Sequence, residues 1–136
     1  MSMADFNQQV ITEFRDSAGK VGGMFDGKAL LLLHHVGAKS GTDRIAPLVY
    51  LPDGDRYVIF ASKGGAPEHP GWFHNLKAHP ETEIEVGTEK IRVVATVVSG
   101  DERERLYSTM VEGEPQFGEY QEKTTRQIPV IALTPA

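Results

Sequence analysis

The stretch that decides the fold runs from His35 to Asn75. It reads HVGAKSGTDRIAPL over residues 35–48, VYLPDGDRYVIF over 49–60 and ASKGGAPEHPGWFHN over 61–75. Two β-rich segments, 44–51 and 57–62, flank Pro52-Asp53-Gly54-Asp55, a strong hairpin turn because glycine and aspartate accept the backbone angles a tight turn needs. Each segment ends on a glycine-broken basic loop. One holds Gly37, Lys39, Ser40 and Gly41; the other is Lys63-Gly64-Gly65. Pairing through the Asp53-Gly54 turn would bring Arg44 and Lys63 to one rim beside Lys39. Free backbone N–H groups in such a turn, with an ammonium beside them, suit a phosphate. Arg44 adds a fork that binds an anion in two places. The plain alternative is a solvated turn with scattered surface lysines. The loop is not a Walker motif, since the Gly-x-x-x-x-Gly-Lys-Ser order is missing.

On the N-terminal side, Asp5 is placed to cap a first helix. Phe6, Val10 and Phe14 recur every four residues, with Ile11 beside them, and form one apolar stripe. Gly19, Gly22, Gly23 and Gly27 end that helix, so residues 1–27 read as a helix and linker. Residues 29–36 read as a first strand whose five consecutive apolar residues imply burial on both faces. Pro47 places the 44–51 strand at an edge or a bulge, because proline donates nothing to the ladder.

On the C-terminal side, Pro70 opens a short helix over 71–78, and His79-Pro80 ends it. Segments 83–86 and 91–97 form a hairpin around Gly87-Thr88. A helix follows over 101–111, capped by Ser99 or Asp101, with Leu106, Met110 and Val111 inward. Residues 115–125 are irregular or briefly helical, and 127–133 is a last strand with Pro129 at an edge or bulge. About six strands with two hairpins describe a mainly β (α+β) domain over 1–136, a small, partly open antiparallel barrel. No Gly-x-Gly-x-x-Gly follows a strand, which argues against a Rossmann unit.

Composition narrows the function. The chain has 136 residues, no cysteine and a net charge of -5. Disulfides, thiol catalysis and cysteine metal sites are excluded, and an acidic chain is a poor general nucleic-acid binder. The charge is uneven: residues 28–79 carry six Lys or Arg against four acids, and all five histidines. That pattern fits a local anion site. No secretory leader is visible, so a cytoplasmic location is expected, with peripheral membrane association left open.

His34 and His35 are neighbours on a strand and face opposite sides, so they do not share an ion. No metal site is expected. Trp72 and Asn75 on the short helix look like a wall and a hydrogen-bonding group for a planar ligand, although a lone tryptophan there is more often core. Phe117 and Tyr120 are candidates for a cover over such a ligand, and Tyr120 for its proton donor.

These pieces together resemble the deazaflavin-dependent nitroreductase family of actinobacteria and relatives. The matching residues are Gly-x-Lys-Ser-Gly at 37–41, Arg44-x-x-Pro47-Leu48, Asp53-Gly54-Asp55, Tyr57-Val-Ile, and Ala-Ser-Lys-Gly-Gly-Ala-Pro at 61–67. They continue with His69-Pro-x-Trp72-x-x-Asn75 and Tyr120-Gln-x-x-Thr-x-Arg126-x-Ile-Pro-Val130. The resemblance implies a six-stranded split β-barrel like those of FMN-binding reductases. It also implies coenzyme F420, a deazaflavin with a phosphate and an oligoglutamate tail. By position, Lys39, Ser40, Arg44, Lys63 and Gly64 would hold phosphate and tail. Pro47, Ser62, Trp72 and Asn75 would line the ring or its ribityl chain. Val49, Phe117 and Tyr120 would face a small-molecule substrate, a quinone, enone or nitroaromatic ring. An F420-reducing dehydrogenase would be an indirect partner. Ala38 stands where the family commonly has a basic residue, and Gly71 where it often has alanine. An FMN- or haem-binding split barrel and a non-catalytic F420 carrier stay open, as does the choice of monomer or homodimer.

Overall fold

The computed structural model describes residues 3–136. Helix α1 (Met3–Asp16) is followed by strands β1 (Leu30–Val36), β2 (Asp43–Val49), β3 (Leu51–Asp53) and β4 (Arg56–Phe60). Then come helix α2 (Gly71–Ala78), strands β5 (Glu81–Val86) and β6 (Glu89–Val98), helices α3 (Gly100–Gly113) and α4 (Gln116–Glu122), and strand β7 (Val130–Pro135). The sheet order is β2-β1-β5-β6-β7-β4-β3, and all recorded pairings are antiparallel.

The two ends of that order are halves of one strand. β2 pairs with β1 from Leu30–Val49 to Val36–Asp43. One residue later the chain changes neighbour, and β3 pairs with β4 from Leu51–Val58 to Asp53–Arg56. Tyr50 is the bend. Its N–H donates to the Ala29 carbonyl at 3.0 Å, and its ring meets Tyr57 edge-on at 5.4 Å. The strand therefore closes the sheet into a split barrel, and the expected six strands become seven segments. The hairpin at 53–54 forms, but its ladder stops at Leu51. The register that would have paired Arg44 with the Lys63 side is replaced by pairing to β1.

Alternation on the strands builds three cores. Leu31 and Leu33 point into the barrel with Ile59, Ile84, Val93, Ile131 and Leu133, and α2 plugs this interior with Trp72, Phe73 and Leu76. Leu30 and Leu32 point outward onto Val10, Ile11 and Phe14 of α1. This is the two-faced burial that the run of leucines implied. The opposite wall carries Val58, Phe60, Val130 and Ala132 under Leu106, Tyr107 and Met110 of α3 and Phe117 of α4.

Four local expectations shift. Asp5 lies in the first turn of α1 rather than at its cap. Ser99 is the α3 cap position, but its side chain makes no cap bond. Val111 is only partly buried. Pro129 falls just before β7, not inside it, because β7 lies between β6 and β4 and has no free edge for a proline. Among the described residues, no helix is long and apolar enough to cross a membrane.

Candidate functional site

Antiparallel pairing puts one set of chain ends at one mouth of the barrel. The end of β1, the start of β2, the end of β4, the start of β5 and the start of β7 all lie there. Both glycine-broken loops therefore lie at this end of the barrel, although the expected ladder between their strands is not what brings them there. α2 crosses the same end.

A groove with a cavity volume of about 940 Å³ opens here. His35, Arg44 and Ala46 come from the barrel strands, Gly71, Trp72 and Asn75 from α2, Thr82 and Glu83 from β5, and Ile11 and Arg15 from α1. Trp72 is 9% exposed, so its ring is both core and groove wall. An added methyl at Gly71 would meet nothing within 4 Å, so the groove is open where the helix begins.

Asn75 is committed on two sides. Its Oδ1 accepts the Ala38 N–H at 2.9 Å and ties the basic turn to α2. Its Nδ2 sits 2.9 Å from His35 Nδ1. The turn itself is tight: Gly37 N–H donates to Thr42 O and Gly41 N–H to Gly37 O, both at 2.9 Å. Ser40 Oγ accepts the Thr42 N–H at 3.2 Å. A side chain at Gly37 would collide with that hydroxyl. Lys39 is exposed on the turn. Neither Lys39 nor Arg44 has a carboxylate partner among the described ion pairs. His35 is 8% exposed, and burial first, then the charge of Arg44, pushes its ionisation down to about 4.

The second loop is held from behind by Arg126. Its Nη1 donates to Ala61 O at 3.1 Å, its Nη2 to Ser62 O at 2.8 Å and its Nε to Ala66 O at 2.9 Å. Nη1 also lies 2.9 Å from His69 Nδ1. One guanidinium thus fixes the backbone of 61–66. Lys63, Gly64 and Gly65 all have positive φ, at 47°, 63° and 85°. Lys63 makes an exposed pair with Glu68 at 2.8 Å. Gly65 has no room for a side chain, since a Cβ would lie 2.7 Å from Tyr120 O. Tyr120 packs edge-on to Phe117 at 5.2 Å, so α4 leans on this loop.

The residues singled out from sequence divide into three groups. Arg44, Trp72 and Asn75 line the groove together. Lys39, Ser40, Ser62, Lys63 and Gly64 lie in the two loops at the same end of the barrel, outside the residues that line the groove, and Ser62 is buried at 9% exposure. The third group sits in packing. Phe117 is 8% exposed against Phe60, and its carbonyl accepts the Tyr107 hydroxyl at 2.6 Å, so it is core rather than a cover. Val49 is half-buried between two cores, and Pro47 is half-buried in β2.

Sequence reasoning gave no role to three residues at this end of the barrel: His35, Arg126 and Glu85. Parity with Leu31 and Leu33 already put His35 inside. Glu85 is held by both Arg15 nitrogens at 3.1 and 2.8 Å and by His34 Nε2 at 2.6 Å. The Arg15 hydrogen bonds, with His34 assisting, hold the Glu85 carboxyl down to about 2. Nothing local in the sequence joins residues 15, 34 and 85.

With this geometry in view, comparison with known proteins is specific. Residues 7–135 match the pattern of the family described as F420H(2)-dependent quinone reductase. The chain is 42% identical over 125 residues to the F420H(2)-dependent quinone reductase Rv1261c of Mycobacterium tuberculosis, covering 89% of this chain and 84% of that protein. It is also 42% identical over 105 residues to the putative quinone reductase Rv3178 of the same organism, covering 77% and 88%. A solved F420-H2 dependent reductase, FDR-A, superposes with a TM-score of 0.71 at 39% identity, covering 77% of this chain and 93% of that one. A structure described as a domain-swapped dimer gives 0.74 at 33% identity, covering 97% and 99%. The haem storage protein HutZ of Vibrio cholerae, at 19% identity and a TM-score of 0.60, shares the fold.

Proposed function

The chain belongs to the F420H(2)-dependent quinone reductase family, and on that premise we propose how its mouth binds the deazaflavin and a two-electron acceptor. The activity is hydride transfer from reduced F420 to an electron-poor small molecule. The observation that carries the assignment of site residues is the groove itself. An aromatic wall at Trp72 and an unpaired cation at Arg44 share one opening, flanked by two loops built from glycine and lysine.

The donor set fits the coenzyme. Lys39 and Arg44, without carboxylate partners, are suited to phosphate and tail carboxylates. Lys63 must leave Glu68, an exposed pair of small worth. Gly64 has open space where a Cβ would stand, so an anion can approach its backbone. Trp72 supplies a flat face to a ring. When bound, F420 supplies the hydride; the protein orients, desolvates and stabilises charge. The acceptor is a quinone, enone or nitroaromatic, with a proton arriving from water or from Tyr120; Val49, at the far end of β2, takes no part. Asn75 bonds His35 and Ala38 and so holds the turn, and its second N–H stays available to the coenzyme. A homodimer is supported by a structure at 33% identity that is described as a domain-swapped dimer.

The test is a titration with F420 and with FMN, read by quenching of cofactor and Trp72 fluorescence at low and high salt. F420 binds, and binding weakens with salt and in Lys39→Ala and Arg44→Ala, because the contacts are ionic. Binding of FMN alone would overturn the cofactor and favour a flavin-binding barrel.

A further inference from the structure

Among the polar side chains that line the groove, His35 has so far been given no role toward the acceptor. His35 is more than nine-tenths buried and lines the cavity. Its protonation pattern follows from its neighbour. The Ala38 N–H points at Asn75 Oδ1, which fixes the amide so that its NH2 faces His35. An NH2 group only donates, so His35 Nδ1 must accept. The ring proton then resides on Nε2. No partner is recorded for Nε2, and it is not sealed away: among the described residues the one enclosed side-chain polar atom lacking a partner is Arg103 Nε. Nε2–H is therefore accessible, on a residue that lines the groove.

The geometry points to His35 as the hydrogen-bond donor that receives the oxygen of the hydride acceptor, a carbonyl or nitro oxygen, through Nε2–H. The inference rests on the reductase reading above. Hydride leaves a C–H bond of the two-electron donor, which is oxidised. A new C–H bond forms at a conjugated carbon of an enone- or quinone-type acceptor, which is reduced. The displaced π pair lands on the acceptor oxygen, and a solvent proton completes the product. His35 keeps its proton throughout. A neutral imidazole N–H fixed in place stabilises that oxygen without reorganising, as neutral histidine electrophiles do elsewhere. Burial and Arg44 keep the ring uncharged at neutral pH. The charged groups sharing the groove are Arg15 from α1, Asp43 and Arg44 from β2, Glu81 and Glu83 from β5, and Arg92 from β6.

The experiment pairs His35→Leu with His35→Gln, which retains an N–H. Steady-state reduction of a simple naphthoquinone by reduced F420 is compared with the F420 dissociation constant, measured separately by fluorescence. His35→Leu lowers kcat/KM about 100-fold and His35→Gln recovers most of it, while the F420 dissociation constant moves far less than kcat/KM in both. Nitrogen-15 NMR of the wild-type protein at pH 7 shows His35 as the neutral Nε2–H tautomer. Equal kcat/KM in wild type and His35→Leu overturns the proposal alone. So does a matching loss of F420 affinity, which would place the bond on a carbonyl of the coenzyme. An Nδ1–H tautomer or an imidazolium also overturns it. Absence of turnover in the wild-type protein overturns the reductase reading and the proposal together.

Discussion

Arg15 and Glu85 meet in a two-pronged ion pair, Nε to Oε1 at 3.1 Å and Nη2 to Oε2 at 2.8 Å, that clamps the end of α1 to the outer face of β5. Glu85 is buried and Arg15 is half-exposed. The pair is therefore worth less than a fully enclosed one, but removing one partner strands the other. Glu85→Gln lowers stability by about 1–3 kcal/mol, read as a shifted urea midpoint at pH 7. An unchanged midpoint would show that the apolar packing of α1 suffices without the clamp.

Acid acts on two groups at different pH. The native His35 ionises near 4, below the ordinary value of 6.5. Between those values the unfolded chain binds the extra proton, so stability rises with pH and is complete above about 6.5. The native Glu85 carboxyl titrates near 2 against an ordinary 4.5. Its contribution is present above about 4.5 and is lost as pH falls toward 2. Stability measured from pH 7 to pH 3 falls in two stages, and His35→Gln removes the upper one. A single stage below pH 4.5 in the wild-type protein contradicts the buried neutral imidazole.

Two glycines near the site respond oppositely to alanine. At Gly65, φ is +85° and a Cβ would sit 2.7 Å from Tyr120 O. Gly65→Ala costs about 2–3 kcal/mol and displaces α4 from the loop, and F420 binding weakens with it. At Gly71 nothing stands within 4 Å. Gly71→Ala leaves the thermal midpoint unchanged or raises it slightly, and any effect appears only in the groove. Thermal melts of both variants separate the two cases.

Arg126→Lys tests the idea that one guanidinium sets the backbone of 61–66. An ammonium cannot span carbonyls at Ala61, Ser62 and Ala66 at once. The variant loses about tenfold or more in F420 affinity while its far-UV spectrum stays native. Full affinity in Arg126→Lys would mean the loop holds its shape without the fork.

Tyr120→Phe separates a wall from a proton donor. Turnover slows about tenfold to a hundredfold with F420 affinity intact where the hydroxyl delivers the proton. Unchanged turnover assigns the ring to packing against Phe117 and the proton to water.

Much of this was legible in the chain. Every strand and helix that positions the mouth has a signal in its own segment: the leucine run of β1, the Asp53-Gly54 turn, Pro70 before α2. The two loops proposed to bind anions announce themselves by glycine and lysine. What escaped depended on distance in sequence. The change of partner at Tyr50 needs β1 and β4 to compete for one strand, and no local pattern records that. Phe117 read as a cover because an aromatic on a short polar segment looks the same from sequence whether it faces a ligand or Phe60. His35 was ambiguous until Asn75, forty residues on, fixed which nitrogen carries the proton.

The bend at Tyr50 also decides which strand edges are left open to strands of other chains. The outermost members of the sheet are halves of one strand, β2 held by its ladder to β1 and β3 by its ladder to β4. Each half also carries a proline, Pro47 in β2 and Pro52 in β3. A neighbouring chain seeking an unpaired row of amides to extend into a fibril meets gaps in the row at both places. The residue that closes the barrel thus makes its margins poor templates, and the cationic loops are displayed beside a border that other copies cannot readily zip onto.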